Sequence, residues 1–138
     1  MTNSFITAEP SLIEIVETEP LIFELKDEDE VFGQVKEITS RSIGARRANV
    51  AEITLWAADI IHKHKKNEET YICLEGEGEI YLDGRIIDFP PGTRVIIRPG
   101  VQHAARPKDT HSELTFLCVS SPAFDPNDVY EDPRGRKW

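Results

Sequence analysis

Between Ala48 and Pro122 the chain is divided into short β-rich segments by Gly, Pro and Asp, and this punctuation constrains its fold more than any other feature. No stretch in that range repeats apolar side chains at helical spacing. Asn49 to Trp56 alternates Ala51, Ile53 and Leu55 with Val50, Glu52 and Thr54, as a strand with one buried face does. Glu69 to Leu74 reads as a second strand. Glu79–Leu82 and Arg85–Phe89 flank Asp83-Gly84, a pair that supplies the positive φ angles of a type I′ hairpin turn. Pro90-Pro91-Gly92 stops the chain, Thr93–Arg98 extends again until Pro99-Gly100, and Glu113–Val119 is the last clear strand. Many short strands without βαβ alternation predict an all-β sandwich or barrel.

A chain of 138 residues suits one domain with one core. Residues 41–122 carry the barrel pattern. Residues 1–40 read as an N-terminal extension whose apolar patches, Leu12–Val16 and Leu21–Leu25, form edge strands on this barrel or on a partner's. Residues 123–138, with Pro126, Pro133 and several charges, read as a surface tail. The sequence has no eighteen-residue apolar run and no basic, apolar leader at Met1–Pro10, so a soluble cytoplasmic protein without membrane contact is expected. A formal net charge of −9 with no Lys/Arg stripe disfavours nucleic acid. Cys73 and Cys118, set in alternating apolar stretches, read as reduced core thiols.

Chemistry concentrates in the histidines. Three of the four fall in two arrangements: His62-Lys-His64 with Glu69 following, and Pro99-Gly100-Val-Gln-His103. Residues two apart in an extended segment share a face, so His62 and His64 can aim at one point. Glu69 follows a short polar turn that lets the chain reverse, and His103 is expected on the loop after Pro99-Gly100. Imidazole and carboxylate donors suit divalent Fe, Mn, Ni, Co, Cu or Zn, and the lack of thiolate argues against a closed structural zinc site. One divalent transition metal on His62, His64, Glu69 and His103 is therefore the expected cofactor. On an octahedral ion these four leave two positions for substrate, water or dioxygen.

The segment His62-x-His64-x4-Glu69-x6-Gly76 resembles the first motif of the cupin superfamily, and Gly92-x6-Pro99-Gly100-x2-His103 resembles the second. Tyr71 to Glu79 resembles the stretch that follows the motif glutamate, and the two motifs together span residues 56–107. The resemblance implies a jelly-roll β-barrel, a single-domain cupin of the kind compared with phosphomannose isomerases, and a homodimer paired through sheet edges. The chain departs from the family pattern at Trp56, Arg98 and Pro107, none of which removes a ligand.

Other positions carry competing readings. Tyr71 shares the strand parity of Glu69 and should face inward, as a proton donor or as an ordinary core aromatic. A site for sugar phosphates or carboxylates needs a cation. Arg98, just before the His103 loop, and Arg46 are the substrate-binding candidates, ahead of Arg41, Arg47 and Arg106; each also reads as surface charge. Glu68 reads as a turn residue, although a one-residue slip would exchange it with Glu69. Three functions follow, each with a small-molecule ligand. The first is a metal-dependent isomerase, epimerase or lyase acting on a sugar, sugar phosphate or carboxylate. The second is an Fe(II)-dependent dioxygenase, and the third is a non-catalytic metabolite-binding or sensor cupin.

Overall fold

A computed structural model describes residues 12–138. Eleven strands follow in order: β1 (Leu21–Asp27), β2 (Glu30–Glu37), β3 (Asn49–Leu55), β4 (His62–Lys63), β5 (Glu68–Glu75), β6 (Gly78–Leu82), β7 (Arg85–Phe89), β8 (Arg94–Ile97), β9 (His103–Pro107), β10 (Leu114–Ser121) and β11 (Tyr130–Glu131). Among the described residues one 3-10 turn, Arg41–Ile43, interrupts them. The strands form two antiparallel sheets, β1-β2-β3-β10-β5-β8 and β11-β4-β9-β6-β7. This is the all-β class that the strand pattern predicted, in the two-sheet jelly-roll arrangement that the motif resemblance implied.

The inner face of the six-stranded sheet changes character along its strands. Its residues lie in cross-strand rows because side chains two apart share a face. One row joins Gly33, Leu55 and Leu114, and the next joins Val35, Ile53, Phe116 and Cys73. A third joins Glu37, Ala51, Cys118 and Tyr71, and a fourth joins Asn49, Ser120 and Glu69. The barrel is thus apolar at one end and polar at the other. Phe32, Leu55, Ile80, Phe89, Leu114 and Phe116, all fully buried, fill the apolar end.

The hairpin turn at Asp83-Gly84 is present, with φ of 46° and 93°. Three segments differ from the sequence reading. His103 does not sit on a loop: it opens β9, pairing with Leu82 on β6 and His62 on β4. Small Ala104 and Ala105 and the helix- and strand-poor Pro107 gave that strand no local signature. Leu21–Asp27 forms the outer edge of the six-stranded sheet, whereas Leu12–Val16 is exposed and has no strand structure. Residues 123–138 are more than a surface tail, because Ala123 and Asp128 are buried and β11 extends the five-stranded sheet. No helix of the described residues is long and apolar enough to cross a membrane.

Candidate metal centre

The polar end of the barrel brings together His62, His64, Glu69 and His103, whose ligand atoms lie within 4.8 Å of one another. His62 on β4 and His103 on β9 come from the five-stranded sheet, His64 from the residue just after β4, and Glu69 from β5 of the other sheet. The turn at residues 65–68 that links them crosses from one layer to the other. Glu68 instead points outward and pairs with Arg98 at 2.7 Å, so the strand register presents Glu69 to the site.

Each imidazole is oriented from behind. His62 Nδ1 lies 2.7 Å from Ile60 O, His64 Nδ1 2.7 Å from Asp128 O, and His103 Nδ1 2.9 Å from Val101 O. A carbonyl only accepts, so each Nδ1 carries the proton and donates it. All three Nε2 lone pairs then face inward. Glu69 Oε1 sits 3.1 Å from both His64 Nε2 and His103 Nε2. Two lone pairs facing a carboxylate at that distance repel unless positive charge lies among them. In the metal-free site only a proton can supply it. The carboxylate's bond and charge raise the His64 pKa, overcoming a burial effect that acts the other way. Burial and the neighbouring imidazoles hold His62 down, at about 3. Burial alone would raise Glu69, but bonds and charge from His103 and His64 pull it well below the ordinary range.

A divalent cation fits the same geometry better. At metal–ligand distances of about 2.1 Å, adjacent ligand atoms on an octahedron stand about 3 Å apart, close to the 3.1 Å separations found here. His64 Nε2, buried and facing only the Glu69 carboxylate at 3.1 Å, is the atom such an ion would satisfy. The second carboxylate oxygen is held in place by Ser120 Oγ, which donates to Glu69 Oε2 at 3.0 Å, and by the Cys118 thiol at 3.3 Å. Burial pushes the Cys118 thiol well above its usual range, so it donates as a neutral S–H.

A cavity of about 480 Å³ opens onto this cluster. Its walls are mostly apolar, with Phe23, Phe32, Val35, Ile53, Ile60 and Phe124 among them. Tyr71 reaches the cavity, buried, with its ring 5.8 Å from that of His103 and 4.6 Å from that of Phe116. Burial and the Glu69 charge raise its hydroxyl well above the usual value, so it stays protonated. The structure does not bring Arg46 or Arg98 to the cavity: Arg46 is exposed elsewhere and Arg98 is spent on Glu68. Arg41 and Arg106 are likewise committed, to Ala123 O and to Glu79.

Sequence reasoning missed four contributors. Asp59 lines the cavity, its Oδ1 accepting from Ile60 N at 2.7 Å, and burial pushes its carboxyl up to about 6. A lone acid in Ala57-Ala58-Asp59-Ile60-Ile61 was the available signal. Ser120 and Cys118 share the inward parity of β10 and were legible only once the β5–β10 register was known. Asp128 gave no signal, because it sits in a run of turn-forming residues.

Comparison with known proteins agrees with the fold. A family model described as a cupin domain matches residues 54–120. An uncharacterised protein of Aquifex aeolicus is 27% identical in an alignment of 111 residues that covers 76% of this chain and 89% of that one. Among solved structures, the Streptomyces nucleoside dehydratase Pac13 superposes with a TM-score of 0.69 at 12% identity, covering 88% of this chain and 92% of that one. The Fe(II) form of HppE gives a TM-score of 0.67 at 12% identity over 81% of this chain and 62% of that one. At such identities the two structures speak for the fold alone.

Proposed function

Because the chain is a small protein of the cupin superfamily, we propose that it is a metal-dependent enzyme of the isomerase, epimerase or lyase type, acting on a small oxygenated metabolite. The observation that carries this reading is the convergence of three imidazole Nε2 atoms and Glu69 at the floor of a cavity large enough for such a molecule. Bound there, a divalent cation supplies Lewis-acid polarisation of a carbonyl or hydroxyl oxygen.

The chain's own residues supply the rest. Of the carboxylates on the cavity wall outside the cluster, Asp59 is the one that burial raises to about 6, and it is the group suited to take and return a proton. Tyr71, held neutral, donates a hydrogen bond rather than acting as a base. The apolar walls keep water from competing for the reacting atoms. Glu37, Asp59 and Glu131 line the cavity, and its one basic lining residue, Lys26, stands beside Glu24. No arginine is among the lining residues, which favours sugars and carboxylates that bind through the ion itself.

The test is to reload metal-free protein with Mn, Fe, Co or Zn in turn and offer a panel of sugars, sugar phosphates and carboxylates. Turnover without oxygen uptake is the expected result. Oxygen consumption confined to the iron form would replace this reading with a dioxygenase, and tight binding without turnover would replace it with a metabolite-binding protein.

We also propose a homodimer formed along β1. That strand is the open edge of its sheet, and Leu21, Ile22 and Phe23 on it are 53%, 60% and 44% exposed.

A further inference from the structure

The two ligands His62 and His64 lie on a segment with little support from the barrel itself. β4 is two residues long and meets β9 through a single pair, His62 with His103, and the barrel adds two backbone bonds, Asp59 N to Ala105 O and Gly100 N to His64 O. The chain's last stretch supplies the larger share of the contacts. Arg136 Nε donates to Ala58 O at 2.6 Å and Trp138 Nε1 to Asp59 O at 2.9 Å. Ile61 N donates to Gly135 O at 2.9 Å, and Asp132 N returns a bond to Ile61 O at 2.8 Å. β11 then pairs Glu131 with His62 and Tyr130 with Lys63. At the far end Asp128 O accepts from His64 Nδ1, while its carboxylate accepts the backbone N–H groups of Lys65 and Lys66 at 3.0 Å each.

We propose that residues 128–138 form a clamp that belongs to the metal centre, with Asp128 as its positioning residue. The proposal rests on the metal reading above and adds to it a part of the chain outside residues 54–120, where the family match lies. Asp128 is 3% exposed and binds the loop by both its backbone and its side chain. The backbone oxygen sets the tautomer and direction of the His64 ring. The carboxylate fixes the turn that carries the chain from His64 to Glu69, and so fixes the separation of two ligands from different sheets. Partners of this kind hold ligands ready before the ion arrives, and their loss typically weakens metal binding about 10- to 100-fold.

The test uses Co(II) alone as probe, read by its visible absorption, on wild type, Asp128→Asn, Asp128→Glu and Ile87→Val, the last a remote control on β7. Asp128→Asn is expected to raise the Co(II) Kd about 10- to 100-fold, with partial recovery in Asp128→Glu. Ile87→Val should leave the Kd unchanged even where it lowers the melting temperature of the metal-free protein. An unchanged Kd in Asp128→Asn, with Co(II) bound normally by wild type, overturns the clamp alone. Failure of wild type to bind Co(II) overturns the metal reading and the clamp with it. Amide hydrogen exchange on metal-free wild type checks the same point without a variant: residues 58–66 should be protected as the barrel strands are. Protection that arises only after Co(II) is added would show that the ion builds the loop, and the clamp would be rejected.

Discussion

Glu69 makes different use of its two oxygens, one turned to the histidines and the other held by Ser120 and Cys118. Ser120→Ala removes the stronger of those two anchors and leaves the carboxylate free to rotate. The Kd for a divalent ion, measured by calorimetry, is expected to rise about tenfold, with the fold intact. Asp59 gives a prediction in pH. Its carboxyl is raised to about 6, so it becomes the ionised base as pH increases through that value, or lower once a cation adds its charge. Turnover should rise along that limb, and Asp59→Asn should abolish the limb and cost about 100-fold in kcat. The same shift has the opposite sign for stability. A carboxyl raised in the folded state favours folding at low pH and ceases to do so as pH rises through about 6. Asp59→Asn is therefore expected to melt at a higher temperature than wild type at pH 8, as measured by calorimetry.

At the scale of strands and turns, Gly76 shows how little room the β5–β6 connection leaves. Its φ is +83°, and an added Cβ would stand 2.0 Å from Glu113 O. Gly76→Ala should destabilise by about 2–4 kcal/mol in urea titration, combining left-handed strain with a backbone clash. Elements with their own alternation or turn chemistry, such as β3, β5, β10 and the Asp83-Gly84 hairpin, were legible in the sequence. So was the cluster, since HxH parity and the glutamate beyond a polar turn are local facts. What stayed hidden depends on distant partners. β2 is masked by its charges, β9 by its alanines, and the clamp makes many of its bonds to backbone atoms, which leave no trace in side-chain identity. Arg98 shows a related limit: its closeness in sequence to the His103 segment does not say which way its charge points, and it pairs with Glu68.

For the molecule as a whole, the exposed apolar side chains of β1 lead to an expected dimer by light scattering at micromolar concentration, and charged substitution of Ile22 should shift it toward monomer. Metal binding should also couple to folding. At an ion concentration one hundred times Kd the folded state gains about 2.7 kcal/mol, enough to raise the melting temperature by several degrees, and a chelator should reverse the gain. Because the candidate donors come from both layers of the barrel, His62 and His103 from one sheet and Glu69 from the other, a bound cation would act as a rivet between them. Such a fastener cannot be lost gradually while its plates stay joined. Heating should release the ion and part the layers in one step, so a dye that reports free metal and a probe of β-structure ought to trace the same curve.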